Sequence, residues 1–376
     1  MDAMNIFASE PDERIDYLFM NKDEVVATFT LNRFKNFATI DDVAEIRLPK
    51  WINDFASFIE HRSAPRGREH IQELLQLSGC NTLQGFLDVT HALSLTDTFW
   101  VKRSSSKLEW QQVSLFDNEF NEVIAHTAFD GGMYGDNLST PSPEYGTDGS
   151  FAKCWIRENG KIRMLKQGSS GARNTGLEPY SEYYASQVAK AFGTQHVDYS
   201  LRTHKGRACS ICDCFTTEQV GYVPFSAFRC ASSLNSIYQY YVNIGLIRDL
   251  IEMFVFDALI LNEDRHKGNF GFLFNTTTYE ILGTAPLFDH NVSLLCYAEK
   301  DDFNSDWIKS RMPRIGYDFI SDASLLPLPP EMRRRLIRMN GFQFDRGDSK
   351  LELPEWRLKK LEAIVNEQII KLCSLK

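Results

Sequence analysis

An apolar run that stops abruptly at a charged loop constrains this chain more than any other stretch. Met253 to Asn291 reads MFVFDALILNEDRHKGNFGFLFNTTTYEILGTAPLFDHN. The helical apolar run ends at Leu261, and Asn262, Glu263 and Asp264 follow at once. Arg265, His266, Lys267, Gly268 and Asn269 complete a short charged loop. Phe270 to Phe274 is strand-like, Asn275 to Thr278 turn-like, and Tyr279 to Leu282 a returning strand. A further apolar segment, Ala285 to Phe288, then delivers Asp289. One helix–loop–hairpin unit thereby presents Asp264 and Asn269 from a single loop and Asp289 from its far end. That spacing lets two oxygen ligands and one base converge on a metal-bound phosphate.

The chain has 376 residues, enough for two or three domains with buried cores. Its formal charge of −9 argues against broad nucleic-acid or membrane-surface binding. A DNA-binding regulator is further disfavoured because no basic helix-turn-helix stretch occurs. No apolar run approaches the roughly 18 to 20 residues of a membrane span. The opening MDAMNIFASEPDERIDY lacks the charged-then-apolar pattern of a secretory signal, so the expected location is cytoplasmic. Eight cysteines in a chain of this length do not make a disulfide framework. Cys209, Cys212 and Cys214 sit in a strand-like run, ACSICDCFT, with no second pair of the kind a zinc site draws on. Buried strand cysteines are expected there.

Taken in order, residues 1 to about 45 show short strand-like pieces, such as Val25 to Leu31, among loops. Trp51, Ile52, Phe55, Phe58 and Ile59 recur at helical spacing, and the basic stretch Arg62 to Arg68, with Pro65 and Gly67, breaks the pattern. Further helices are expected from Ile71 through Leu74, Leu75 and Leu77, ending near Gly79, and over Leu83 to Leu95, followed by Trp100-Val101-Lys102. Residues 1–130 thus read as a mixed accessory region with no chemistry of their own. Asp130 to Gly149 holds five glycines and two prolines and is expected to be a linker. Next, Phe151 to Ile156 and Lys161 to Gln167 form an expected hairpin around Asn159-Gly160. A helix starts near Glu178-Pro179 and stops at Gly193. Val197 to Leu201 and Arg207 to Phe215 are strands. Ile237 to Ile244 and Ile247 to Leu261 are helices. After a polar loop with Asp301, Asp302 and Asp306 and a proline-rich joint at Leu325 to Pro330, helices over Glu331 to Met339 and Glu355 to Leu372 close the chain. Expected domains are 1–130, 131–235 and 236–376.

Phosphoryl transfer from ATP asks a protein for a loop over the phosphates, a lysine on them, metal ligands and a carboxylate that orients the attacking hydroxyl. Candidates occur in that order. Gly149, Ser150, Phe151, Ala152 and Lys153 form a small-residue loop leading into a hairpin, and Lys166 lies near the end of the return strand. Glu182, on the following helix, is placed to pair with Lys166. Asp264 is the candidate base, and Asn269 and Asp289 are candidate Mg²⁺ ligands. Each alone is commonplace: a strand-end lysine, a first-turn acid, a turn-capping aspartate. Their joint order over suitable elements carries the weight.

These residues resemble the HipA-like serine/threonine kinases. Asp264-Arg265-His266-Lys267-Gly268-Asn269 matches the family's D-x-H-x-x-N catalytic loop, and Pro286-Leu287-Phe288-Asp289 its metal-binding turn. Ser181-Glu182 through Gly193 is similar to the family's N-E helix, with Ser181 in place of the asparagine. Asp148 to Lys153 and Met164-Leu165-Lys166 look like its phosphate loop and lysine strand. The likeness covers about residues 146 to 295. It implies an α+β, two-lobed protein-kinase-like fold with a helical C-terminal lobe. It also implies ATP and Mg²⁺ as cofactors, a protein serine or threonine as acceptor, and self-phosphorylation at Ser150 or Thr147. His266 is expected to support the loop or lie near the transferred phosphate; Arg265 and Lys267 are expected to face solvent or substrate. An antitoxin or other protein partner is implied as well, although residues 1–130 do not resemble the short β-rich lobe of the toxin members. Two alternatives stay open: a catalytically silent nucleotide- or protein-binding module, and a kinase for a lipid or small-molecule hydroxyl.

Overall fold

The computed structural model describes residues 10–132, 138–171, 174–228, 233–305, 311, 314–315, 318–319, 328–347 and 351–374. Contacts divide the chain into two compact units. The first comprises residues 1–157 with 216–221 and 275–280; the second comprises 158–215, 222–274 and 281–376.

The first unit is built on three strands, β1 (Glu13–Asn21), β2 (Glu24–Arg33) and β3 (Ala38–Glu45). These are longer and more continuous than the short pieces expected before residue 45. Alternation explains them: Ile15, Tyr17 and Phe19 are buried while Arg14 and Asp16 face out, the period of two that a half-buried strand imposes. Helix α1 (Phe55–Glu60) starts later than the apolar pattern suggested. Asp54 caps it by accepting the Ser57 N–H at 3.1 Å, which leaves Trp51 and Ile52 buried outside the helix. Helices α2 (Ile71–Leu77) and α3 (Leu83–Thr90) follow, the latter five residues shorter than expected, and then β4 (Phe99–Arg103). All four strands form an antiparallel sheet in the order β3-β2-β1-β4. Phe19 stacks on Phe99 at 5.3 Å and meets Phe55 edge-on at 5.2 Å, fastening helix to sheet. Arg62, from the basic stretch, is buried in a two-pronged pair with Asp97, both bonds 2.9 Å. Helices α4 (Trp110–Val113) and α5 (Glu122–Asp130) complete the run.

The expected linker beyond Asp130 is packed where it is described; residues 133–137 lie outside the described residues. Pro143–Gly146 forms a single tight turn with Glu144 and Tyr145 fully buried, and the Tyr145 hydroxyl donates to Leu138 O at 2.9 Å. Strand β5 (Lys153–Glu158) carries the chain out of this unit.

The second unit opens with β6 (Lys161–Gln167), reached through Asn159 and Gly160 at φ 53° and 74°. Both positive angles are what a two-residue hairpin turn requires. Helix α6 (Glu178–Phe192) begins with Pro179 in its first turn and ends at Gly193. Strands β7 (Tyr199–His204) and β8 (Arg207–Asp213) pair antiparallel, and β8 pairs with β6 so that Lys166 faces Ser210 in register. Helix α6 packs across β7 and β8. Cys209 and Cys212 are buried on β8, where burial raises the Cys209 thiol to about 11 and that of Cys212 further. Strand β9 (Val220–Pro224) was not expected. Helices α7 (Leu234–Asn243) and α8 (Ile247–Ile260) precede the hairpin β10 (Gly271–Asn275) and β11 (Ile281–Thr284), and the three strands align as β11-β10-β9. The two-residue strands β12 (Arg314–Ile315) and β13 (Asp318–Phe319) pair with one another. Helices α9 (Pro330–Arg338) and α10 (Glu355–Ser374) pack together, and α10 packs on α8. From the expected loops and joint, Asp306 and residues 325–327 lie outside the described residues. No described helix is long and apolar enough to cross a membrane.

Candidate active site

Helix α8 is buried along its last eight residues, including a carboxylate, Asp257. A buried charge costs several kcal/mol unless it is paired and hydrogen-bonded. Here its partner is Arg265, which was expected to face solvent or substrate and is instead completely buried. Its Nε and Nη2 donate to the two Asp257 oxygens at 2.9 and 2.8 Å, and its Nη1 donates to Asn269 O at 2.9 Å and Phe288 O at 3.1 Å. Burial alone would lower the Arg265 pKa, but Asp257 outweighs it and holds the guanidinium charged. One side chain thus ties the end of the loop to the residue before Asp289. The helix stops because Leu261 turns left-handed, φ 50°, with its N–H still on Asp257 O.

The loop closes on itself. Asn262 Nδ2 donates to Asp257 Oδ1 at 2.9 Å, and the Asp264 N–H donates to Asn262 Oδ1 at 3.0 Å. Buried Asn269 accepts the His266 N–H at 2.9 Å and donates to Asp264 O at 3.0 Å. His266 Nδ1 accepts the Gly268 N–H at 3.1 Å, so its imidazole supports the loop. Asp264 itself is exposed.

Asp289 arrives on a segment pinned to the one before β7: the Val197 N–H donates to Leu287 O and the Leu287 N–H to Gln195 O, both 2.9 Å. Phe288 packs against Phe215 and Tyr222. Asp289 adopts a left-handed backbone, φ 59°, and its N–H donates to the Tyr199 hydroxyl at 3.1 Å. Burial pushes the Tyr199 phenol well above its ordinary pKa, so it stays neutral. Lys166 bridges two acids, donating to Glu182 Oε1 at 2.5 Å and Asp289 Oδ1 at 2.6 Å. Burial would lower the lysine, but Asp289 and Glu182 hold its pKa well above the ordinary value. Glu182 also accepts the Ser210 hydroxyl, the residue facing Lys166 on β8. Ser181 holds α6 to the segment after Asp289: its hydroxyl donates toward His290 O at 2.7 Å and Ser293 O at 2.8 Å and accepts the Ser293 N–H at 3.0 Å.

The second unit therefore brings Lys166, Glu182 and Asp289 into one hydrogen-bonded cluster, and Asp264, His266 and Asn269 into one loop joined to it through Arg265. Asn269 Oδ1 and the Asp289 carboxylate are hard oxygen donors. Among the described residues no three His, Cys, Asp or Glu side chains form a metal cage. Two protein oxygens completed by phosphate oxygens and water is a donor set that suits Mg²⁺.

The loop 149–153 belongs to the first unit. Gly149 lies at φ 98°, a backbone angle that residues with a side chain rarely adopt, which favours glycine here. Lys153 is buried and donates to Asp148 O at 2.6 Å. Ala152 is buried and Ser150 is exposed. Thr147 is committed, donating to Pro143 O at 2.7 Å and accepting the Trp155 indole N–H at 2.8 Å. Arg68 Nη1 holds Thr147 O at 2.8 Å, and the Glu69 N–H holds Ser150 O at 3.1 Å.

Sequence reasoning missed Asp257, Arg265, Tyr199 and Arg68. The one available signal was Asp257 within VFDALI, since a carboxylate inside an apolar helix demands a partner.

No family model matches the sequence. The serine/threonine-protein kinase CtkA of Helicobacter pylori strain J99 is 30% identical over 141 residues, 33% of this chain and 42% of that protein. The chain thus spans about two fifths of the curated relative it matches. The crystal structure of the Helicobacter pylori proinflammatory kinase CtkA is similar with a TM-score of 0.51 and 23% identity, over 62% of this chain and 93% of that one. HipA, in a Shewanella oneidensis MR-1 toxin–antitoxin complex with HipB and operator DNA, gives a TM-score of 0.59 at 12% identity, over 96% of this chain and all of that one.

Proposed function

We propose that this chain, whose fold is similar to those of CtkA and HipA, is a HipA-like kinase that transfers the γ-phosphate of ATP to a serine or threonine of a protein. The observation that carries this reading is the Lys166–Glu182–Asp289 cluster, beside a loop that fixes Asp264 and Asn269. In this reading Asp264 orients the acceptor hydroxyl and accepts its proton, exposed where a substrate can reach it. Lys166, held protonated by two carboxylates, stabilises phosphate charge and does not act as a base. Glu182 fixes the lysine, and His266 fixes the loop. Asn269 and Asp289 would hold Mg²⁺, which when bound neutralises charge on the transferring phosphoryl group. The loop 149–153 covers the phosphates. Exposed Ser150 is the better self-phosphorylation candidate, because the Thr147 hydroxyl is engaged on both sides. A protein partner belongs to the same reading, as the HipA neighbour is described with HipB.

The test is incubation with γ-labelled ATP and Mg²⁺ followed by intact mass, beside Asp264→Ala. Wild type should gain phosphate. The variant should lose about 10³-fold or more in rate while melting normally. Normal turnover by Asp264→Ala would sink the assignment. Nucleotide binding with no transfer to itself or to a panel of protein acceptors would instead favour a silent binding module.

A further inference from the structure

The basic stretch Arg62 to Arg68 has no part in the reaction drawn above, yet its last residue lies against the loop 147–153. Arg68 is only 2% exposed. Its Nη1 is spent on Thr147 O at 2.8 Å, while its Nε and Nη2 are buried with no hydrogen-bond acceptor among the described residues. Two acids lie near it, but their bonds go elsewhere. Glu144 takes the Trp155 N–H at 2.8 Å on one oxygen and the Ser142 hydroxyl on the other. Asp148 takes the Gly149 N–H at 2.7 Å. Burial lowers the Arg68 pKa to about 10, which still leaves it charged at neutral pH. A buried guanidinium with two idle N–H groups is costly, and its fork suits the oxygens of a phosphate. A second buried cation, Lys153 Nζ, sits on the next carbonyl of the same loop, Asp148 O at 2.6 Å.

We infer that Arg68 is an anion-binding residue of this loop, whose Nε and Nη2 take an oxygen of a bound polyphosphate. The inference rests on reading 149–153 as the phosphate loop. The acceptors are the phosphate oxygens of a nucleoside triphosphate, and inorganic tripolyphosphate carries the same groups.

Calorimetric titration of the full chain with tripolyphosphate, ATP and adenosine separates the possibilities. Arg68→Met should weaken tripolyphosphate and ATP about tenfold or more, as expected for losing hydrogen bonds to a charged group, and leave adenosine within about twofold. Arg68→Lys, which keeps the charge and reaches one acceptor, should recover part of the loss. Equal weakening of all three ligands, or none, would overturn the inference and assign Arg68 to structure alone. Should Arg68→Met not fold, the wild-type Arg68 Nε–H resonance decides, identified by its absence in Arg68→Lys. It should shift on addition of tripolyphosphate, and an unmoved resonance under saturating ligand overturns the inference. The kinase reading fails separately: a chain that never transfers phosphate but binds tripolyphosphate through Arg68 would lose the enzyme and keep the site.

Discussion

Arg265 shows how far a residue's role departs from its type. In sequence it stands between Asp264 and His266 in a charged loop, where an arginine reads as solvated. In the structure it is the fully buried joint between α8, the loop and the segment before Asp289. Removing it leaves Asp257 as an uncompensated buried charge, which costs about 3–5 kcal/mol. Arg265→Met should therefore lower the urea-unfolding free energy by that amount, and Arg265→Met with Asp257→Leu should recover much of it, since a buried ion pair is often replaceable by apolar packing. A loss under about 1 kcal/mol for the single variant would show that the pair does not hold the loop. The catalytic candidates Asp264, Asn269 and Asp289 were legible because their chemistry needs particular residue types at fixed order. The residues that hold them were not, because a supporting contact such as Arg265 to Phe288 O spans 23 positions and leaves no local pattern.

At the level of elements, what was legible follows local physics. The start of α2, the Asn159-Gly160 turn and the Gly193 stop of α6 all depend on a few adjacent residues. The sheet of the first unit depends on long-range pairing and was largely missed, although Ile15, Tyr17 and Phe19 alternate clearly. One tether there joins three elements. Asp88 on α3 accepts the Tyr17 hydroxyl of β1 at 2.9 Å and the Arg103 Nε of β4 at 2.8 Å. Burial would raise the Asp88 pKa, but the Arg103 and Tyr17 bonds prevail and lower it. An aspartate whose folded pKa is depressed contributes stability above its unfolded value, about 3.9, and that contribution is lost as pH falls through the folded value. Asp88 is partly exposed, so after solvent screening its share is about 1 kcal/mol. Chemical denaturation should show wild type losing that increment as pH falls from neutral through the folded value, with Asp88→Asn less stable at pH 7 and flatter at acid pH. Parallel pH profiles for the two proteins would contradict the assignment.

At the scale of the whole molecule, the chain does not finish one unit before starting the next. Residues 216–221 and 275–280 leave the second unit's sequence and pack within the first. Thr216 Oγ1 donates to Leu95 O at 2.5 Å, Trp110 Nε1 to Glu218 Oε1 at 2.5 Å, and Asn21 Nδ2 to Thr276 O at 2.7 Å and to the Tyr279 hydroxyl at 3.1 Å. Arg47 lies 5.3 Å over the Tyr279 ring, and Trp51 meets that ring edge-on. The strands β9 and β10 adjoin these segments in sequence and flank the stretch that holds the loop with Asp264. A chain trimmed to residues 158–376 would keep every candidate residue of the Lys166 cluster and the Asp264 loop but lose the contacts of Thr276 and Tyr279 with Asn21, Arg47 and Trp51. Losing several hydrogen bonds and the packing of one half-buried aromatic ring amounts to about 3–5 kcal/mol, which for a unit of this size lowers the melting temperature by roughly 10 °C. Calorimetry of the trimmed and full chains checks this. If the trimmed chain melts where the full chain's second unit melts, the two insertions are incidental and the units are energetically separate. If it melts lower, the first unit stabilises the element that presents Asp264 quite apart from any contact it makes with a ligand.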